Sequence, residues 1–256
     1  HVGHVEAGLR TYDRRNPFPE ETHRVLVDHL SDLCFAPTEG ARRNLLREGI
    51  AESAIRVTGN TVVDALQAIS RRLASAPAPA WLEEIASRGQ LILVTAHRRE
   101  NLGPPLERIC AALAEIAAQG EGAYQLVYPV HLNPRVRETV YPRLSGAPHV
   151  HLIDPVDYIT LVQLLRRSAL VLTDSGGIQE EAPSFGVPVL VLRDTTERPE
   201  AVEAGVARLV GADAERIVAE SLRLLRDEAA HAHMARAVNP FGDGRAAERI
   251  VEVLLA

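Results

Sequence analysis

Short runs rich in Val, Ile and Leu recur along the chain, each followed by a stretch whose apolar residues return every three or four positions. The runs Leu91–Thr95, Gln125–Tyr128, Val150–Ile153, Ala169–Thr173, Val187–Leu192 and Ala207–Val210 predict strands. The stretches 104–119, 134–141, 157–167, 177–185 and 213–226 predict the helices between them. Strands that are apolar without alternation are covered on both faces, so the pattern predicts a parallel, doubly wound α/β sheet. Ligands of such sheets bind beyond the C-terminal ends of the strands. Upstream, helices over 19–31, 38–48 and 62–73 and strands over Leu33–Ala36 and Ile55–Thr58 repeat the alternation with too few strands for a complete sheet. A last helix, over 244–255, follows the turn Asn239–Gly244. His1 falls inside a segment that reads as extended, which predicts a natural N-terminus further upstream.

Between the two alternating blocks, Ala74-Ser-Ala-Pro-Ala-Pro-Ala80 has the composition of a linker. The expected organisation is an incomplete α/β domain over 1–73, a linker over 74–85, a second α/β domain over 86–236, and a C-terminal segment over 237–256.

Composition narrows the chemistry. The 256 residues are 46% hydrophobic and 24% charged, which fits a globular protein and not a disordered one. The apolar runs fall far short of the roughly 18 residues a membrane helix needs. A net charge of −6 speaks against general binding to nucleic acid or an anionic membrane. All 28 basic residues are Arg. Without lysine, a pyridoxal-phosphate Schiff base, a class I aldolase site and a Walker-A loop are excluded. Anion recognition falls to Arg, His or backbone N–H groups, and the planar Arg fork suits phosphate. Cys34 and Cys110 offer no metal spacing and read as reduced core residues. His149 and His151 share a strand face without an evident third ligand, and no metal site is expected.

The polar motifs lie where strands end. Asp174-Ser-Gly-Gly-Ile-Gln-Glu-Glu follows a strand and opens a helix. Its glycines let a ligand approach the backbone, free N–H groups at the helix start suit an anion, and Glu180 or Glu181 could accept from ribose hydroxyls. The same turn also serves as a plain β–α connection with Asp174 or Ser175 as N-cap. Arg198, in Arg193-Asp-Thr-Thr-Glu-Arg-Pro-Glu200, could reach a diphosphate or belong to a solvated loop. His97 and His131 each end a strand and read equally as phosphate contacts, proton donors or structural residues. Glu6 sits at a strand end, and Glu20 and Glu21 start a helix. First-turn acids favour the helix dipole, but two carboxylates from two loops are also what proton chemistry on a sugar requires.

Taken together, HVEAGLRT with Glu6, PFPEETHR with Glu20, VTGNTVVDAL, VTAHRRENLG, YPVHLNP, LTDSGGIQEEAP and RDTTERPEA resemble the non-hydrolysing UDP-N-acetylglucosamine 2-epimerases of bacteria, in order and over essentially the whole chain. The resemblance implies a glycosyltransferase-B-like fold of two Rossmann-like domains around a cleft, the first incomplete here and the last helix packing back toward it. It implies interconversion of UDP-GlcNAc and UDP-ManNAc for surface polysaccharide synthesis, a cytoplasmic homodimer, and no metal or nicotinamide cofactor. By motif, Glu6 and Glu20 are the acid–base candidates and His97 assists the departing diphosphate. Ser175, Gly176, Gly177, Glu181 and Arg198 hold UDP. Arg98 and His131 match positions where some members bind a second UDP-GlcNAc as activator, and Glu20 could touch both ligands.

The family chain is longer at its N-terminus, where it supplies the first strands, a phosphate-binding Arg and a catalytic Asp. The expectation is that the 256-residue chain alone is inactive while keeping most of the UDP site. A glycosyltransferase of the same fold, a hydrolysing epimerase and a non-catalytic nucleotide-sugar-binding module are the rival readings.

Overall fold

The computed structural model describes residues 1–73 and 77–256 and contains two parallel sheets. The first has β1 (Gly3–Val5), β2 (Leu33–Ala36) and β3 (Ile55–Val57) in that order. Helices α1 (Glu20–Leu30) and α2 (Glu39–Arg47) connect them, and α3 (Thr61–Arg72) follows. Thr38 caps α2 by accepting from the Ala41 N–H at 3.0 Å, and Asn60 caps α3 through the Val62 N–H at 3.2 Å.

The stretch expected to be a linker is more ordered than its Ala-Pro composition suggests. Residues 74–76 lie outside the described residues, but Ala80–Arg88 forms α4. Leu82 is fully buried, and Trp81 and Ile85 pack beside it against the second sheet. Their spacing is helical, and burying that face outweighs the flanking prolines.

The second sheet contains β4 (Gln90–Thr95), β5 (Tyr124–Pro129), β6 (Val150–Ile153), β7 (Ser168–Thr173), β8 (Val189–Val191) and β9 (Ala207–Leu209). Its spatial order is β6-β5-β4-β7-β8-β9. Helices α5 (Pro104–Gln119), α6 (Pro134–Leu144), α7 (Tyr158–Arg167), α8 (Gly176–Glu181), α9 (Pro199–Glu203) and α10 (Ala214–Arg226) lie in the connections after these strands. The helix expected over 177–185 breaks at Glu181 into a 3-10 turn, Ala182–Phe185, because Pro183 has no N–H to continue the α-ladder. Two further helices, α11 (Glu228–Ala235) and α12 (Ala246–Leu255), close the chain.

β4 shows why the strands read as unbroken apolar runs. Ile92 and Val94 join one core with Leu113 of α5 and Ile217 of α10. Leu91 and Leu93 join the other with Leu82 of α4 and Leu164 of α7. Successive side chains point to opposite faces, and both faces are covered. Each such burial stabilises by about 1.5–3 kcal/mol.

Strand order reverses between β4 and β7, so the loops after them diverge and leave a crevice. The first sheet faces this crevice. It is tied to the chain's end by α12, whose Ala246 and Ala247 N–H groups donate to Asp64 at 3.1 and 2.8 Å. Arg249 Nη1 donates to the Thr58 carbonyl at 3.0 Å. Among the described residues no helix is long and apolar enough to cross a membrane.

Candidate active site

The turn after β1 carries Glu6 with φ at +65°, a left-handed conformation that costs a non-glycine residue about 1–3 kcal/mol. Polar contacts hold it there. Asp28 of α1, fully buried, accepts from the Gly8 N–H at 3.2 Å and from Arg10 Nη2 at 2.5 Å, and pairs with His4 Nδ1 at 2.6 Å. Arg10 also donates to Glu48 at 2.8 and 2.6 Å. Burial acts to raise the Asp28 carboxyl, but His4 and Arg10 outweigh it and hold it below the usual carboxylate range. Gly8 has φ +83°, and a Cβ there would fall 2.3 Å from the Ala41 carbonyl oxygen. Only glycine lets the turn pass so close to α2.

The first turn of α1 gives its two acids different roles. Glu21 is buried, and its Oε1 accepts from the Thr11 and Tyr12 N–H groups at 3.0 and 2.8 Å. Glu20 stands exposed in a cleft of about 780 Å³ that Arg24, His97, Arg98, His131 and Ser175 also line.

Asp174, at the end of β7, organises the loop after β4. Its Oδ2 accepts from the His97 and Arg98 N–H groups, each at 2.8 Å, and from Asn101 Nδ2 at 2.9 Å. The His97 ring stacks on His131 with centroids 4.9 Å apart. Burial pushes the His97 imidazole below its usual value; His131 and Arg98 add to this and Asp174 opposes it. The ring is therefore neutral at neutral pH and can donate one hydrogen bond to an oxyanion.

Ser175 opens α8 without a side-chain cap bond. Beside it, a Cβ on Gly176 would lie 2.4 Å from Arg198 Nη1, so the glycine is what lets the guanidinium enter. Arg198 donates to Glu197 Oε1 at 2.7 Å and to Glu180, and its Nη2 stands 4.0 Å from Glu6 across the crevice. Glu197 gathers further guanidiniums: Arg193 at 2.7 Å, Arg24 at 3.6 Å and Arg98 at 3.7 Å. Burial acts to raise the Glu197 carboxyl, but Arg198 and Arg193 prevail and bring it to about 2.

The segment Arg193–Glu200 thus bridges both walls of the crevice. Thr195 accepts from Asn16 Nδ2 at 3.1 Å, and Thr38 Oγ1 donates to Glu200 at 2.5 Å, on the side of the first sheet. Thr196 Oγ1 donates to Gln179 at 2.8 Å on the other.

Glu6, Gly176 and Arg198 meet on one side of the crevice, while Glu20, His97, Arg98, His131 and Ser175 line its cleft. Gly177 follows in α8, and Glu181 accepts from the Tyr158 hydroxyl at 2.6 Å. Glu180 does not face a ribose: both its oxygens are engaged by Arg198 and Asn60. Sequence reasoning missed the parts played by Asn60, Asp174, Glu197, Arg24 and Tyr158. The first four stand within the quoted motifs, but their use shows only in partners brought together by the fold, such as Glu180 for Asn60 and Arg24 for Glu197. His151 Nε2 is 2.8 Å from Gln125 Oε1. Among the described residues no group of three or more His, Cys, Asp or Glu is placed to share a metal ion.

Comparison with known proteins bears on the family and the fold. The family profile described as UDP-N-acetylglucosamine 2-epimerase matches residues 1–255. The UDP-N-acetylglucosamine 2-epimerase of Salmonella typhimurium is 55% identical over 258 residues, which cover 99% of this chain and 68% of that protein. A crystal structure of UDP-GlcNAc 2-epimerase from Neisseria meningitidis bound to UDP-GlcNAc superposes with a TM-score of 0.93 at 45% identity, covering 99% of this chain and 69% of that one. The Methanocaldococcus jannaschii UDP-GlcNAc 2-epimerase in complex with UDP-GlcNAc and UDP gives a TM-score of 0.85 at 38% identity, covering 99% and 68%. The chain spans about two thirds of the length of these relatives.

Proposed function

The chain belongs to the UDP-N-acetylglucosamine 2-epimerase family, and from that premise we propose how its residues work. The reaction is the interconversion of UDP-GlcNAc and UDP-ManNAc. The C2 proton of this sugar is not adjacent to a carbonyl, so direct abstraction is unfavourable. Instead a base takes the C2 proton as the bond from C1 to the UDP oxygen breaks, leaving a glycal and UDP. UDP then adds back at C1 while a proton is delivered to the opposite face of C2.

Glu6 and Glu20 serve as the acid–base carboxylates. Arg198 and the backbone of Ser175, Gly176 and Gly177 hold the diphosphate and stabilise the charge that grows on it as it leaves. The neutral His97 donates to the departing oxygen, and Glu181 takes the ribose. Arg98 and His131, in the same cleft as Glu20, contact a second UDP-GlcNAc that acts as activator. The observation that carries this reading is the approach of Arg198 to within 4.0 Å of Glu6. It supports the reading because it brings a guanidinium suited to an anion and a carboxylate suited to a proton within one sugar's reach of each other.

The product feeds surface polysaccharide synthesis, and the protein works as a cytoplasmic homodimer. Leu26, Val27 and Leu30 on α1 are exposed and suit contact with a second copy.

Calorimetry with UDP tests the site. Binding is expected, and Arg198→Ala is expected to weaken it by about 10- to 100-fold, the worth of a charge-assisted hydrogen bond. Absence of UDP binding would refute the site. In the full-length protein, deuterium entering C2 in D2O together with UDP-ManNAc identifies the reaction, whereas free ManNAc or transfer to an acceptor would favour a rival chemistry.

A further inference from the structure

Behind Glu6 stands a carboxylate that the reaction above does not use. The Glu180 side chain has no exposed surface, and each oxygen is engaged: Oε1 by Arg198 Nε and Oε2 by Asn60 Nδ2. The same Asn60 nitrogen donates to Glu6 Oε1 at 2.6 Å. The Arg198 guanidinium reaches to 4.0 Å from that Glu6 oxygen. We propose that Glu180 is a positioning residue for Glu6, the two carboxylates being joined into one charge-coupled pair by a shared amide and a shared guanidinium.

The Asn60 amide has two protons, one for each acid, so it holds both only while they flank it. Asn60 is itself fixed as the N-cap of α3, and Arg198 by Glu197. The pair is thus anchored from both sides of the crevice. The charged groups facing Glu180 are Arg198, from the segment before α9, and Glu6, from the turn after β1. Glu197 lies on Arg198's other amine, and the neighbouring Glu181 turns to Tyr158.

Burial raises the Glu180 carboxyl to about 7; the Glu6 charge adds to this, and Arg198 and Asn60 oppose it. Below that value Glu180 is neutral, and its claim on Arg198 weakens in favour of Glu6. Above it, the two acids compete for one guanidinium. The proton on Glu180 therefore sets how strongly Glu6 is held. The catalytic meaning of this rests on Glu6 serving as acid–base group, but the coupling itself does not.

The test is NMR of the chain labelled with carboxyl 13C glutamate, titrated across neutral pH. Glu6 and Glu180 are assigned by Glu6→Gln and Glu180→Gln. The Glu6 resonance is expected to carry an inflection at the Glu180 midpoint, and Glu180→Gln to abolish it. Glu6→Gln is expected to lower the Glu180 midpoint by about one pH unit. A Glu6 resonance flat through neutrality, or a Glu180 midpoint unmoved by Glu6→Gln, overturns the pair. Should Glu180→Gln fail to fold, Glu6→Gln still decides, since its side chain is 44% exposed. A Glu180 engaged by Arg198 and Asn60 but uncoupled from Glu6 would produce neither signal. Coupling seen together with C2 exchange that survives Glu6→Gln in the full-length protein would count against Glu6 as the base and leave the pair intact.

Discussion

The two sheets hold their functional residues by different physics. Around β4 to β9, large apolar clusters on both faces fix the strands, and Asp174 and Gly176 inherit their positions from that frame. Around β1 to β3, the buried apolar cluster is small: Ala7, Cys34, Ala36, Ala41, Leu45 and Ile55. There the turn bearing Glu6 is held by Asp28, Arg10, His4 and Glu48. Apolar packing is non-directional and places whole elements. Charge-assisted hydrogen bonds are directional and can hold one strained residue in a fixed orientation. A buried ion pair adds little net stability, yet removing one partner leaves an expensive orphan.

The contrast can be broken most sharply at Asp28. Asp28→Ala leaves Arg10 buried without a carboxylate on that side, and is expected to cost about 3–5 kcal/mol in chemical denaturation. Hydrogen exchange should rise in β2 and in the Glu6 turn and stay low in β4. A cost no larger than that of a surface substitution would refute the contrast. Leu93→Ala tests the other region. It should cost about 2–5 kcal/mol through lost burial and a cavity, with the protection of β4 falling first and little sensitivity to salt.

The smallest and most gradual effect is expected from acid. The folded-state values of Asp28 and Glu197 are depressed, so the stability they contribute is present above their unfolded values, about 3.9 and 4.3. It is lost as pH falls through the folded ones, about 2 for Glu197. Amides of β2 should therefore lose protection at a higher pH than those of β4; simultaneous loss would show that the charge network does not distinguish the regions.

Much of the frame was legible in the sequence. β2 at Leu33–Ala36, β6 at Val150–Ile153 and α5 over 104–119 stand where the alternation put them, because each has neighbours that enforce one period. α4 was hidden by the Ala-Pro stretch before it, although Trp81, Leu82 and Ile85 carry the helical spacing. α9 is too short for periodicity to register. In the site, glycines and strand ends pointed to the right loops. They could not show that Glu180 turns inward, since that depends on Asn60, 120 positions away. Nor could they separate Glu20 from Glu21, which differ only in whether Thr11 and Tyr12 bring N–H groups within reach.

The segment Arg193–Glu200 answers to two walls at once. Asn16, Arg24 and Thr38 fasten it on one side, and Gln179 and Glu180 on the other. Such a stretch cannot shift one residue at a time. If the crevice widens, these links must let go together, so its opening should behave as a single snap rather than a graded sway. For the same reason an inserted residue here would be far less tolerable than one at the exposed Gly146 between α6 and β6, where an added Cβ would meet none of the described residues within 4 Å.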